Sequence, residues 1–190
     1  MLNMIEGVDV ITKEPAQDIL EEYNRNYIVQ ECILLSKIYA KSLNTFRVIT
    51  YICEGSVYHA PAVMPIGSGG VYVDNIHAGG LCIGITEEYK LSGYAFSEMG
   101  DRFEKHPDTG VIFDGYEIAP LRNVVETAGR LHRLIPQIKM ILWDWSIDQN
   151  EVPIMIEINI SGQSVWFPQM LNGESIFGEH TEYFANLIRE

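Results

Sequence analysis

Apolar and polar positions along this chain recur with periods that switch between two and about 3.6, and the switches mark out its elements. The plainest alternation lies near the carboxyl end. Over residues 139–147, Ile141, Trp143, Trp145 and Ile147 share one face while Leu142, Asp144 and Ser146 share the other. Over residues 152–160, Val152, Ile154, Ile156 and Ile158 share a face, and Met155, Glu157 and Asn159 lie opposite. Both segments predict strands with one wholly apolar face. Upstream, residues 45–52 and 56–63 predict a hairpin around Glu54 and Gly55. Residues 27–33 predict a buried strand, and 71–73, 81–85 and 91–96 predict further strands between glycine-rich turns.

Helical spacing is carried by Leu121, Val124, Val125, Ala128, Leu131 and Leu134 within residues 120–135. Residues 14–23, with Pro15 in the first turn, and 179–189, just past Gly178, predict two more helices. Residues 34–42 suit a short helix or a connector. Strands cluster and helices flank them, so the expected fold is α+β, a single domain over residues 1–190 built on an antiparallel sheet.

The two late strands allow a register to be worked out. A turn centred between Asn150 and Glu151 sets Asp144 opposite Glu157 and Leu142 opposite Asn159. Facing carboxylates on paired strands have Cβ atoms only about 5 Å apart and destabilise a sheet unless something offsets their repulsion. A divalent cation does so. Asp144, Glu157 and the amide oxygen of Asn159 together offer hard oxygen ligands suited to Mg²⁺. Two other readings of this face are a solvated surface in a different register and the paired carboxylates of a glycosidase, though the latter leaves Asn159 and the glycine loops without a role.

Charge narrows the field of partners. Asp and Glu number 26 against 13 Lys and Arg, a formal charge of -13, so nucleic acid and anionic lipid surfaces are disfavoured, whereas a polyphosphate arriving with divalent cations is not. A hydrophobic content of 47% suffices for a sizeable core. Cys32, Cys53 and Cys82 sit inside apolar runs, which suits buried thiols in a reducing cytoplasm better than a disulfide or zinc framework. No stretch reaches about 18 consecutive apolar residues and the amino terminus has no signal-like apolar core, so neither secretion nor a membrane span is expected.

Trp143-Asp144 followed by Glu157-Ile158-Asn159 resembles the metal-binding strands of ATP-grasp enzymes. Further matches run in consistent order over about residues 15 to 175. Tyr27-Ile28-Val29-Gln30-Glu31 resembles the hinge that receives adenine, and Asn44-Thr45-Phe46-Arg47 the strand with a catalytic arginine. The glycine-rich run from Val73 through Asn75 to Gly79-Gly80, and His106-Pro107-Asp108-Thr109-Gly110, are similar to segments of the sugar-transfer-associated branch.

The resemblance implies the larger ATP-grasp subdomain, with residues 1–33 a remnant of the smaller nucleotide-binding subdomain and hinge. It further implies ATP with Mg²⁺ or Mn²⁺ as cofactors, and carboxylate ligation through an acyl phosphate. The partners would be a small-molecule carboxylate and an amine or other nucleophile, in polysaccharide or cell-surface sugar assembly. By the same resemblance Gln30, Glu31, Cys32, Ile33, Asn75, Gly79 and Gly80 contact the nucleotide, Arg47 is catalytic, and Asp144, Glu157 and Asn159 hold metal.

Two departures bear on these expectations. Too little chain precedes residue 27 for the family's phosphate-binding lysines, and Met64-Pro65-Ile66 stands where the branch tends to carry an arginine. The chain is therefore expected to be catalytically incomplete alone, with a missing subdomain or a second copy as partner. The alternative is a noncatalytic nucleotide-binding or partner-binding module.

Overall fold

The computed structural model describes residues 44–69, 76, 79–148, 150–162 and 164–187. The expected helix at 14–23, the strand at 27–33, the connector at 34–42 and the strand at 71–73 lie outside them. Eight strands form one sheet: β1 (Phe46–Cys53), β2 (Ser56–His59), β3 (Val63–Ile66), β4 (Leu81–Ile85), β5 (Leu91–Ser97), β6 (Arg102–Phe103), β7 (Met140–Ile147) and β8 (Pro153–Asn159). Their order is β6-β5-β4-β3-β1-β7-β8, with β2 pairing β1 beyond the end of β3, and every pairing is antiparallel. Helix α1 (Leu121–His132) packs on one face. Helices α2 (Trp166–Asn172) and α3 (Thr181–Leu187), with a 3-10 turn at Gly178–His180 between them, belong to the other. The fold is α+β, as the clustering of strands predicts.

Alternation explains which side chains meet α1. Phe46 and Val48 of β1, Met64 and Ile66 of β3, Leu81, Ile83 and Ile85 of β4, and Ile141, Trp143 and Trp145 of β7 all enter one cluster with Leu121, Val124, Val125 and Ala128. Each such side chain, fully buried, contributes about 1.5–3 kcal/mol. The helix ends at His132, so Leu134, assigned by spacing to the core stripe, instead lies in the following turn and is exposed.

A polar chain pins the end of α1 inside this apolar layer. Trp143 Nε1 donates to Thr50 Oγ1 at 2.7 Å, Thr50 Oγ1 shares a hydrogen bond with His132 Nδ1 at 2.6 Å, and His132 Nε2 donates to Ile138 O at 2.8 Å. Both ring nitrogens of His132 are thereby paired, which makes a buried polar group tolerable.

Two strand boundaries differ from the alternation. Residues 56–63 follow the edge of β1 throughout, with Tyr51 opposite Tyr58 and Arg47 opposite Val63, yet they form two strands. Between them Pro61, which has no N–H to donate, interrupts the ladder. Glu54 and Gly55 close the β1–β2 hairpin with both φ values positive, the geometry of a type I′ turn.

On β8 the expected pairs Asp144–Glu157 and Leu142–Asn159 are present, but a bulge lies between them and the turn. Trp145 pairs with Met155, Ser146 with Ile154 and Ile147 with Pro153. A one-residue slip inverts the faces. Met155 therefore shares the face of Trp145 and Ile154 that of Ser146, the reverse of strict alternation. The intended apolar face of β8 is not sealed either, since Val152, Ile156 and Ile158 are exposed. The turn itself is closed by Asp148, whose Oδ1 accepts from the backbone N–H groups of Val152 and Asn150 at 2.8 Å each; these bonds, Val152's first, hold its carboxyl below the usual aspartate range.

On the second face, β4 touches α2 at Gly84. A Cβ there would stand 2.4 Å from Asn172 Oδ1 and 2.8 Å from the Leu171 carbonyl oxygen. Gly84→Ala should thus cost about 1–3 kcal/mol in urea denaturation by pushing α2 off the sheet, and an unchanged midpoint would show that the contact is looser than described.

Nearby, the Tyr51 hydroxyl donates to Phe177 O and lies 3.2 Å from His180 Nδ1. Burial, then the neighbouring Cys53, Tyr58 and Glu179, raise it from 10.0 to about 12. A folded-state value above the unfolded one contributes stability that is complete below pH 10.0 and lost as pH rises to about 12. Tyr51→Phe should remove this part of the alkaline loss, so the gap in stability between parent and variant narrows as pH rises from 10 towards 12.

Candidate functional site

The second face of the sheet carries a row of charged side chains across three adjacent strands. Arg47 on β1 pairs with Asp144 on β7, and Asp144 pairs in turn with Glu157 on β8. Asn159, two residues beyond Glu157, pairs with Leu142. Antiparallel pairing puts directly opposed residues on one side, so Arg47, Asp144, Glu157 and Asn159 form one polar surface.

Within that surface Arg47 and Asp144 make a two-point contact: Nε donates to Oδ1 at 2.9 Å and Nη2 to Oδ2 at 3.2 Å. The side chains are 29% and 9% exposed. Planar guanidinium and carboxylate groups fit this way with fixed orientation, and desolvation makes the bond stronger than at an open surface. Arg47 is thus the first compensation for the two opposed carboxylates, and the sequence spacing gave no sign of it. One positive and two negative charges leave the row with a surplus of one negative charge.

Apolar side chains frame the row. Ile49 and Leu142 pack with Ala60 and Ile176, while Val63 and Cys82 pack with Phe167 and Leu171 of α2. Cys53 and Cys82 are buried. Ser146, on the same face of β7 as Asp144, donates to Asn44 O at 3.2 Å, which ties β7 to the residue at which the described chain begins.

A cavity of about 630 Å³ opens beside Arg47. Phe96, Phe167, Trp166, Met170 and Glu98 are among its walls, and so is Ile76, whose carbonyl accepts from Gly79 N at 3.1 Å. The expected glycine segment therefore reaches the cavity. Gly79 has φ +90, a conformation that glycine adopts without strain, and its carbonyl accepts from Ser68 Oγ at 2.6 Å.

The other expected residues fall as follows. Gln30, Glu31, Cys32, Ile33 and Asn75 lie outside the described residues. Gly80 is buried just before β4. His106 is fully buried and structural: its Nε2 donates to Gly67 O at 2.8 Å, and its Nδ1 accepts from Asp108 N at 3.1 Å. Sequence reasoning missed the cavity and α2 altogether. A usable signal was present, because Trp166/Met170 and Phe167/Leu171 are two apolar pairs at spacing four, more than one buried helix face can hold.

The donor chemistry suits Mg²⁺ in kind. Asp144 and Glu157 supply carboxylate oxygens, Asn159 an amide oxygen, and the surplus negative charge favours a cation. Among the described residues no group of three His, Cys, Asp or Glu side chains converges, so Asn159 and ligand oxygens would have to share the coordination.

A family model described as sugar-transfer associated ATP-grasp matches residues 6–183. No curated protein matches the chain, and no solved structure does.

Removing Arg47 exposes what it compensates. Arg47→Met leaves Asp144 opposite Glu157 without the positive charge on its other side, and should cost about 3 kcal/mol in chemical denaturation. Glu157→Gln introduced into that variant should recover part of the loss; equal losses with and without Glu157→Gln would show that the two carboxylates do not interact.

Proposed function

The chain belongs to the sugar-transfer associated ATP-grasp family, a family of ATP-dependent, ligase-type enzymes, and on that footing we propose that the row Arg47–Asp144–Glu157–Asn159 is where the phosphates of ATP are bound and transferred. The observation that carries the proposal is the placement of those four residues on one face of three adjacent strands, beside a cavity large enough for a small molecule. In the proposed reaction a carboxylate oxygen attacks the γ-phosphorus of ATP as the bond to ADP breaks. An amine or other nucleophile then attacks the acyl carbon, and phosphate leaves.

This chain's own residues contribute position and charge. Arg47, held by Asp144 at two points, presents its guanidinium to the transferred phosphoryl oxygens without having to find its orientation during the reaction. Asp144, Glu157 and Asn159 would hold Mg²⁺, or Mn²⁺, which when bound neutralises charge developing on the phosphates. Gly79, Gly80 and Asn75 are proposed to contact the nucleotide, in the same segment as Ile76, which lines the cavity. Gln30, Glu31, Cys32 and Ile33 are proposed as the adenine hinge, contributed by the remnant of the smaller subdomain in residues 1–33. The setting is proposed to be cytoplasmic assembly of polysaccharide or cell-surface sugars. Among the described residues no helix is long and apolar enough to cross a membrane.

Melting curves with and without Mn²⁺ test the metal assignment. A ligand at a hundredfold excess over its dissociation constant adds about 2.7 kcal/mol when it binds only the folded state. The parent should gain stability with Mn²⁺ and ATP. Glu157→Gln should be at least as stable as the parent without metal and lose most of the metal-dependent shift; a full shift in Glu157→Gln refutes the metal assignment. ATP binding without turnover both by the pure chain and in the presence of an upstream-encoded, lysine-bearing polypeptide would favour the noncatalytic module.

A further inference from the structure

We infer that Ser68 and Asp108, anchored by His106, are positioning residues for the cavity beside Arg47: their hydrogen bonds close the neck of the glycine-rich segment between β3 and β4 and so set where Ile76 stands in the cavity wall. This rests on the ligase reading above and brings into it the His106-Pro107-Asp108-Thr109-Gly110 turn, to which that reading gives no part.

The sheet does not need so much chain here. Ile66 at the end of β3 pairs directly with Leu81 at the start of β4, and about two to five residues usually join strands so paired. Residues 67–80 instead leave the sheet and reach the cavity, where Ile76 lines the wall and packs against the cluster of Val63, Cys82, Phe167 and Leu171. Backbone that leaves a sheet in this way gives up ladder bonds, and its polar groups must find partners elsewhere.

Those partners come from the turn after β6. Gly67 O accepts from His106 Nε2 at 2.8 Å and Gly69 N donates to Asp108 Oδ2 at 2.7 Å, two bonds that each bridge 39 residues and hold residues 67–69 alongside residues 106–108. Ser68, between them, donates through Oγ to Gly79 O at 2.6 Å, and Gly79 N donates to Ile76 O at 3.1 Å. A series of hydrogen bonds thus runs from the turn to the cavity wall. Its far end is fixed in the core. His106 is 0% exposed, its Nδ1 accepts from the backbone N–H of Asp108 at 3.1 Å, its own N–H donates to Val111 O and its carbonyl accepts from Gly110 N, both at 2.8 Å.

Exposure separates positioning from stability. Asp108 is exposed and Ser68 partly so, and replacing either should leave the urea midpoint of the full chain close to the parent's. Asp108→Ala should nevertheless speed hydrogen exchange at the Gly69 amide about tenfold and shift the Ile76 methyl signal, which Ile76→Val identifies. Asp108→Asn, whose side-chain oxygen can accept the same bond, should stay near the parent in both. Ser68→Ala should shift the Gly79 amide and the Ile76 methyl, and Ser68→Thr, which keeps the hydroxyl, should not. With Mg·ATP as the probe, Asp108→Ala and Ser68→Ala should bind about fivefold more weakly than the parent, and Asp108→Asn and Ser68→Thr close to it. A loss of stability alone would not sort the variants in this way.

The inference is overturned if the Ile76 signal stays in place in Asp108→Ala, or if Asp108→Asn departs from the parent as far as Asp108→Ala does. A parent that binds Mg·ATP, with Asp108→Ala and Ser68→Ala binding it equally well, also overturns the inference and leaves the ligase reading standing. A parent that shows no response to Mg·ATP at millimolar concentration, with the Ile76 signal displaced in Asp108→Ala, removes the ligase reading and leaves the neck as what sets this wall.

Discussion

A buried carboxylate in the middle of a sheet is the constraint around which this molecule is arranged. Asp144 sits on β7, flanked by β1 and β8, with its side chain mostly withdrawn from water. Such a group is stable only if its charge is met within the protein, and Arg47 meets it at both oxygens from the neighbouring strand. That demand fixes the register of β1 against β7, since a slip of one residue would turn Arg47 to the apolar face and leave Asp144 opposite a hydrophobic side chain. The register of β8 follows from the other side, where Glu157 and Asn159 must face the same way as Asp144 for the polar surface to exist.

The apolar side of the same strands answers a different demand. Trp143, directly next to Asp144 in sequence, points to the opposite face and is anchored through Thr50 and His132. A sheet whose one face holds an ionic row and whose other holds an aromatic core has little freedom to slide, because both faces specify the same register. This agreement between levels is what makes a polar group in the interior specific as well as tolerable.

The sequence revealed the parts of this arrangement that are local. Alternation over residues 139–160 set Asp144 opposite Glu157 from a turn centred between Asn150 and Glu151, whereas the pairs beside the turn, from Ile147 with Pro153 to Trp145 with Met155, are centred on Asn150 and the bulge restores the expected pair. Spacing likewise revealed α1. Contacts between distant segments were hidden: Arg47 and Asp144 are 97 residues apart, and no periodicity connects them. The bulge before Glu157 was hidden too, since an extra residue among isoleucines leaves the pattern looking regular. His106 and His132 illustrate the same limit, because their burial depends on partners supplied by Gly67 and Thr50, 39 and 82 residues away.

The order in which the strands are synthesised has its own consequence. β1 finds β2 and β3 within its own hairpin, but its other edge waits for β7, which begins at Met140. As the chain emerges from the ribosome, the stretch carrying Val48 and Ile49 has an unpaired flank while roughly ninety more residues are made, and closing such a non-local pairing is slow compared with forming a hairpin. Exposed strand flanks of this kind invite pairing with other nascent chains. The ionic row can be completed only when Glu157 has followed Asp144 out, so the charged surface forms after the strands between β1 and β7 have been made.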